Sequence, residues 1–229
     1  MGTEAVTVAC VFRRSADYTP EYVYRLRDMV ARHLHAPHRF VCLTNEKVDV
    51  ETIPLITKWG RWWHKLELFR PQLFDGPVLY FDLDTVIVSD ITDIALAKYD
   101  FACPTNWKGD STAVMSSAVM AWDGTADNSH IFGTFDLSQR ARYEKSWERW
   151  GDQGFIQDHL KRPFESLLVR WPGRLVHTKT NIWKGRHATD AQPPKGSSIV
   201  CFSGKPRPHQ LPPENPLYKH WVGDHAGKH

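Results

Sequence analysis

Two carboxylates one residue apart, Asp82 and Asp84, stand at the end of an apolar run in this chain of 229 residues. The run over residues 77–81 predicts a buried strand, and residues i and i+2 of a strand point to the same side. We therefore expect the two carboxylates to converge at the carboxyl end of the strand, where open α/β sheets bind ligands. Two anions that close repel each other, and a divalent metal ion between them is the usual solution. The alternative is a strand-end turn with two solvated acids.

The elements before this pair predict a parallel sheet. Residues 7–12 form a short apolar run that we interpret as a first, central strand. Pro20 is suited to the first turn of a helix, and apolar residues then recur with helical period up to Leu34. A second strand is predicted over residues 39–43. This βαβ order is typical of α/β domains with parallel strands.

The rest of the chain predicts further helices and strands within one domain, residues 1–229. From about residue 172 the chain is rich in Pro, Gly and Lys, which indicates an irregular, basic C-terminal segment. The other predicted elements are an amphipathic helix over 63–73, a short helix over 91–97 capped by Asp90, strands over 101–104 and 118–122, a helix from 151 to 160, and strands over 175–176 and 199–202.

Composition narrows the class of protein. Hydrophobic residues make up 41% and charged residues 24%, which is typical of a globular chain. The net charge of +3 suits an anionic ligand without requiring nucleic acid. The four cysteines form no Cys-x-x-Cys pair, so we expect buried thiols in a reducing compartment. No apolar run approaches the roughly 20 residues of a membrane-spanning helix, and no signal-peptide core is present, so we expect a cytoplasmic protein without membrane insertion.

Five local patterns occur in an order that resembles a known family. They lie at residues 63–69 (WHKLELF), 80–85 (YFDLDT), 116–120 (SSAVM), 151–156 (GDQGFI) and 201–209 (CFSGKPRPH). The chain resembles the glycogenin and bacterial lipopolysaccharide galactosyltransferase group, which are retaining, nucleotide-sugar-dependent glycosyltransferases of the GT-A fold. The resemblance extends from the first strand to Pro208. It implies a single α/β domain of GT-A (Rossmann-like) type, with a mixed, mainly parallel sheet flanked by helices.

The resemblance implies a metal site and a catalytic pair. Asp82 and Asp84 would hold Mn²⁺ or Mg²⁺ against the diphosphate of a nucleotide sugar, most simply a UDP-sugar, where the metal neutralises the leaving group. Asp152 would bind hydroxyls of the transferred hexose, and the amide of Gln153 would lie beneath its anomeric carbon. The alternative for Asp152 is that it only caps the helix that begins there.

The resemblance also implies a set of donor-binding residues. Lys65 would reach the donor, and Ser116 and Ser117, which stand where the family has Asn-Ser, would bind the sugar. Arg207 replaces a family lysine that contacts the diphosphate, and its planar guanidinium suits phosphate oxygens. The remaining candidates are Gly204 and Lys205 beside Arg207, Tyr18 for stacking on the base, and Lys179.

Cys201 is the clearest departure from the family pattern. The family has a histidine there, which completes the metal site. A thiolate is a soft ligand that suits Mn²⁺ or Mg²⁺ poorly, and an apolar surrounding keeps a thiol protonated. His209 or water would then supply the third ligand.

Two other functions fit parts of the sequence. A haloacid-dehalogenase-like phosphatase also uses an Asp-x-Asp after an apolar strand, though usually on the first strand. A non-enzymatic nucleic-acid-binding domain is suggested by ten Trp residues and the basic tail. For a glycosyltransferase, a hydroxymethylated DNA base, a glycan and a protein all remain open as acceptors, because an exposed base can also present a hydroxyl.

Overall fold

The computed structural model describes residues 5–105, 107, 114–146, 150–183 and 192–223. They form two sheets with helices on either side. The strands are β1 (Val6–Val11), β2 (His38–Leu43), β3 (Glu51–Ile53), β4 (Pro77–Phe81), β5 (Val86–Ile87), β6 (Phe101–Cys103), β7 (Val119–Asp123), β8 (Glu165–Ser166), β9 (Leu175–His177) and β10 (Ile199–Cys201). The α-helices are α1 (Pro20–His33), α2 (Thr92–Leu96), α3 (Ser129–Gly133), α4 (Arg140–Lys145), α5 (Gly151–His159), α6 (Leu167–Arg170) and α7 (Pro216–Val222). Short 3₁₀ helices cover Arg61–Phe69, Leu137–Gln139 and Pro208–Gln210, and a π-helical segment covers Thr178–Trp183.

The main sheet has seven strands in the order β3-β2-β1-β4-β7-β6-β8. Strand β1 pairs in parallel with β2 and with β4, and β2 pairs in parallel with β3. Strand β7 runs antiparallel to both of its neighbours, β4 and β6. This arrangement confirms the predicted mixed, mainly parallel sheet flanked by helices.

A smaller sheet, in the order β5-β10-β9, lies beyond the carboxyl end of β4. Strand β10 pairs antiparallel with β5, so the C-terminal part of the chain returns to the segment that carries the two aspartates. The C-terminal segment is therefore less irregular than the composition indicates. It also contains Thr178–Trp183 and helix α7, which the sequence did not predict.

Apolar cores lie on both faces of the main sheet. On one face, α1 buries Tyr22, Val23, Leu26, Met29 and Val30, as its helical period predicts. On the other face, the segment Arg61–Phe69 packs with α3 and α5.

The segment Arg61–Phe69 corrects the prediction of an amphipathic helix over 63–73. It is a 3₁₀ helix, and every side chain from Trp63 to Phe69 is buried. Its polar residues are therefore enclosed and hydrogen-bonded: Glu67 is 0% exposed and accepts from the backbone N–H groups of Ile56 and Thr57. The polar residues of this segment form hydrogen bonds inside the protein and do not mark a side that faces solvent.

Smaller differences concern element ends. Strand β4 ends at Phe81, so Asp82 and Asp84 lie in the turn that follows it and not on the strand itself. Helix α2 begins at Thr92, whose N–H donates to the carboxylate of Asp90. All four cysteines are buried and unbridged, as predicted. Within the described ranges, no helix is both long and apolar enough to cross a membrane.

Candidate active site

The ammonium of Lys65 joins two carboxylates at the centre of the candidate site. Its Nζ lies 2.8 Å from Oδ1 of Asp82 and 2.9 Å from Oδ2 of Asp152. It also donates to Oγ of Ser117 at 2.9 Å, and that hydroxyl donates to Asp152 at 2.6 Å. Residues from the 3₁₀ helix, the end of β4, the approach to β7 and the start of α5 thus meet around one buried amine.

The neighbouring carboxylates keep the buried amine of Lys65 protonated. Burial by itself lowers the pKa of the Lys65 ammonium, but Asp152 and Asp82 outweigh it and the pKa is raised. Burial raises the pKa of Asp82, and Lys65 offsets only part of this effect. The hydroxyl of Tyr80 also donates to Oδ1 of Asp82, at 2.6 Å. Asp152 is therefore engaged in the cluster, which corrects the alternative that it only caps α5: the N-cap position is Trp150.

Asp84 forms a second cluster with Arg207 and Tyr18. The guanidinium of Arg207 and the hydroxyl of Tyr18 both donate to its Oδ2, the latter at 3.0 Å. The guanidinium carbon lies 4.5 Å from the centre of the Tyr18 ring. Burial and then the charge of Asp82 raise the pKa of Asp84 to about 6, although Arg207 opposes the shift. Asp84 is only 4% exposed, so the alternative of a solvated turn does not describe it.

Asp17 links the loop after β1 to the segment that follows β10. One of its oxygens lies 3.7 Å from Nζ of Lys205 and the other 3.8 Å from Nε of Arg207. Lys205 is 68% exposed and Arg207 only 14%, so the first cation faces solvent and the second faces Asp84.

A third group of contacts crosses from the β6–β7 region to the C-terminal segment. The indole of Trp107 donates to Oγ of Ser116 at 3.3 Å and stacks on the ring of His177 at 5.3 Å. Nε2 of His177 lies 2.9 Å from Oγ of Ser203. Burial, followed by the charge of Lys179, lowers the pKa of His177 to about 4, so the ring is neutral near pH 7.

Gly204 lies beside Lys179 in this third group. Gly204 has a φ of +67°, and a Cβ placed there would lie 3.2 Å from Nζ of Lys179. The ammonium of Lys179 is thus close to the backbone of the loop that carries Lys205 and Arg207.

The candidate residues fall into these three connected groups. Lys65, Ser117, Asp82 and Asp152 share direct contacts, as do Asp84, Arg207 and Tyr18. Gln153 lies half-buried in the first turn of α5, next to Asp152. Several residues that complete the groups are not among the predicted site residues, namely Tyr80, Asp17, Trp107, His177 and Ser203. Of these, only Tyr80 carried a sequence signal, because it lies two residues before Asp82 in the apolar run.

Cys201 does not offer a thiolate ligand beside Asp82 and Asp84. Its thiol is 0% exposed, and burial together with the charges of Asp82 and Asp84 raises its pKa well above the ordinary value. Nδ1 of His209 forms a hydrogen bond with the hydroxyl of Tyr22. Among the residues whose structure is described, no three His, Cys, Asp or Glu side chains are grouped so as to hold a metal ion. Asp82 and Asp84 carry the oxygen ligands that Mn²⁺ and Mg²⁺ prefer, and each of them is paired with a cation of the protein, Lys65 or Arg207.

Comparison with known proteins places the fold. No protein-family model matches the sequence, and a search of curated proteins finds no match. Solved structures of several glycosyltransferases match over nearly the whole chain. The mixed sheet and its flanking helices therefore have the fold of GT-A glycosyltransferases.

Three of these structures show the extent of the likeness. The glycosyltransferase GlyE of Streptococcus pneumoniae TIGR4 has 14% identity and a TM-score of 0.63, over 96% of this chain and 61% of that one. The galactosyltransferase LgtC, solved with donor and acceptor sugar analogues, has 12% identity and a TM-score of 0.53, over 95% of this chain and 92% of LgtC. Mouse xyloside xylosyltransferase 1 has 12% identity and a TM-score of 0.51, over 88% and 98%. The chain thus spans less than two thirds of GlyE but most of the other two.

Proposed function

We propose that this protein is a glycosyltransferase that moves a hexose from a nucleotide sugar, UDP-linked, to an acceptor hydroxyl with retention at the anomeric carbon. The observation that carries the proposal is the buried contact of Lys65 with Asp82, Ser117 and Asp152. A buried ammonium between two carboxylates is costly to build, and such clusters concentrate at functional sites.

The fold and its relatives support the same reaction class. The solved structures that match this chain are glycosyltransferases, and LgtC was solved with donor and acceptor sugar analogues. The order of the five sequence patterns resembles enzymes that use UDP-sugars with retention. A fold alone does not determine activity, so the support for this reaction comes from the side chains of the site.

Cations surround the place proposed for the donor diphosphate. Arg207, Lys205 and Lys179 lie on the C-terminal segment around Gly204. Guanidinium and ammonium groups bind phosphate oxygens with charge-assisted hydrogen bonds. Tyr18, which contacts Arg207, is proposed to lie against the nucleotide.

Asp82 and Asp84 are the residues proposed to hold a divalent cation. Carboxylate oxygens suit Mn²⁺ and Mg²⁺, and burial followed by the charge of Asp82 raises the pKa of Asp84. A bound cation supplies Lewis-acid neutralisation of the leaving diphosphate. Lys65 and Arg207 add positive charge from the protein itself, where negative charge develops in the transition state.

Retention follows from attack on the face that the diphosphate leaves. The bond between the anomeric carbon and the diphosphate oxygen breaks, and its electron pair stays on the diphosphate. The acceptor oxygen bonds to the anomeric carbon, and its proton passes to the departing phosphate oxygen. Oδ2 of Asp152 already accepts from Lys65 and Ser117, which favours sugar binding over a role as covalent nucleophile.

The test is UDP release from a panel of UDP-sugars with Mn²⁺, with and without candidate acceptors. We expect release that EDTA abolishes and that Asp84→Asn reduces to background. Asp100→Asn is the matched control, because the Asp100 carboxylate is 82% exposed at another edge of the sheet. Full release by Asp84→Asn, or in EDTA, contradicts the metal role. Phosphate release from a phosphomonoester without UDP release supports the dehalogenase-like alternative.

A further inference from the structure

Two tryptophans and an arginine form an aromatic surface beside the candidate active site. The rings of Trp62 and Trp150 lie 5.9 Å apart at 46°, and the guanidinium carbon of Arg61 lies 5.3 Å from the centre of the Trp62 ring. Trp150 is 45% exposed, which is unusual for so large an apolar side chain. We call Arg61, Trp62 and Trp150 the aromatic platform.

The platform is one helical turn from the contact between Lys65 and Asp152. In a 3₁₀ helix, residues i and i+3 lie above one another, so Trp62 lies about 6 Å along the axis from Lys65. Trp150 precedes α5 directly, and Asp152 is in the first turn of that helix. The two elements that bring Lys65 to Asp152 therefore also bring Trp62 to Trp150.

Close packing fixes the platform against α5. Gly151 has a φ of +62°, and a Cβ placed there would lie 2.7 Å from Nε1 of Trp62. The edge of the Trp62 ring thus packs on the backbone at the start of α5, while the face of Trp150 remains open to solvent. A ring that stacks on Trp150 would lie next to the start of α5, which carries Asp152.

The segments that flank the platform carry several basic side chains. Helix α4 packs on α5, and the charge of Arg61 contributes to lowering the pKa of Glu144 on α4. Arg142 on the same helix is 76% exposed. Arg140 pairs with Glu144 and Arg142 with Asp158, while Asp152 is engaged by Lys65. Among the described residues of this region, Arg61 and Lys145 are the cations without such an ion pair.

We propose that the aromatic platform binds the acceptor, and that this acceptor is single-stranded nucleic acid, with a base stacked on Trp150 and its phosphates near the cations. The inference rests on the proposed function, since it names the substrate that would meet the donor sugar. A base and a sugar ring can both lie flat on an indole, but a neutral sugar gains nothing from the surrounding charge. A base inside a duplex exposes no face, so the strand must be single or the base turned out.

The test is fluorescence anisotropy of a short fluorescein-labelled oligothymidine with the full-length protein, without nucleotide sugar or metal. We expect Trp150→Ala to weaken binding about tenfold or more, which is the effect of losing one stacked base. Trp150→Phe retains a ring and most of the affinity. Leu96→Ala is the control, because Leu96 is also 45% exposed but lies on α2.

Charge is tested separately. Arg61→Gln should weaken binding and reduce the dependence of log affinity on log salt concentration by about one unit. Arg162→Gln, which removes an arginine 70% exposed and paired with Asp100, should change neither. Circular dichroism and thermal melting establish that each variant is folded.

Specific results overturn the inference. One is an affinity for oligothymidine that is unchanged in both Trp150→Ala and Arg61→Gln. Another is that the wild type does not bind oligothymidine even at low salt. A third is that a neutral oligosaccharide binds through Trp150 and oligothymidine does not. If UDP release depends on Asp84 but oligothymidine does not bind, only the acceptor inference fails. If oligothymidine binds through Trp150 but no UDP-sugar is consumed, the proposed function fails and the platform remains a nucleic-acid-binding site.

Discussion

The guanidinium of Arg207 binds the carboxylate of Asp84, from a position 123 residues further along the chain. The resemblance assigns these two residues to different partners, Arg207 to the diphosphate and Asp84 to the metal ion. In the described structure each neutralises the other. Binding of a nucleotide with its cation would therefore exchange one buried ion pair for two charge-assisted contacts, which makes the two binding events dependent on each other.

Replacing Arg207 should change the affinities for nucleotide and cation in opposite directions. Arg207→Gln removes a charged contact to the diphosphate, so we expect UDP to bind about tenfold more weakly. The same change frees Asp84 from a competing cation, so Mn²⁺ alone should bind more tightly. Calorimetry with UDP and electron paramagnetic resonance of free Mn²⁺ measure the two effects. Arg207→Lys should restore part of both; parallel losses would contradict the exchange.

Replacing Lys65 should destabilise the protein as well as inactivate it. Lys65→Met leaves Asp82 and Asp152 without their shared ammonium, and breaking a buried ion pair in this way costs about 3–5 kcal/mol. Urea unfolding at neutral pH measures the loss. Arg162→Gln removes an exposed pair and should change the free energy of unfolding by less than about 0.5 kcal/mol. Equal, small effects of the two variants would show that Lys65 is not a structural centre.

Glu67 should make stability depend on pH below about 4.5. Burial alone raises its pKa, but hydrogen bonds from His64, Thr57 and the N–H of Ile56 lower it to about 2. A carboxylate whose pKa is lowered in the folded state stabilises the protein fully at pH values above the pKa that the group has in the unfolded chain. This contribution is lost as the pH falls towards 2. Urea unfolding at pH 6 and pH 3 measures it. Glu67→Gln should flatten the difference, and an unchanged slope would contradict the prediction.

His177 should make stability depend on pH in a higher range than Glu67 does. Its folded pKa is about 4, lowered by burial and then by Lys179, against an ordinary value near 6.5. The unfolded chain therefore binds the proton more readily, and stability falls as pH decreases from about 6.5 to about 4. His177→Gln should remove this part of the pH dependence and leave the part due to Glu67. NMR titration of the imidazole gives the pKa directly, and a value near 6.5 would contradict the prediction.

The main sheet and α1 were predictable because their signals are local. Tyr22, Leu26 and Met29 recur with helical period, and each is buried against the sheet. The apolar runs of β1, β2 and β4 mark strands that are covered on both faces, which is typical of parallel sheets. The segment Arg61–Phe69 departs from the amphipathic helix predicted over 63–73, because it is a 3₁₀ helix whose polar residues Lys65 and Glu67 are enclosed.

The contacts of the site were less predictable, since their partners are distant in the sequence. Lys65 and Asp152 were both recognised as candidates, but nothing local indicates that they touch. The hydrogen bond from Tyr80 to Asp82 follows from their spacing, whereas the approach of Asp17 to Lys205 has no sequence signal.

The sequence by itself determined the order of the main helices and strands and the residue types of the proposed sugar-transfer site, because hydrophobic period and motif spacing are properties of neighbouring residues. The tertiary structure decided which charges meet. In the turn after Phe81, Asp82 contacts Lys65 and Asp84 contacts Arg207. The packing of the 3₁₀ helix on α5 places Trp62 beside Trp150. These pairings depend on the sheet bringing distant segments to one edge, where burial strengthens each electrostatic contact.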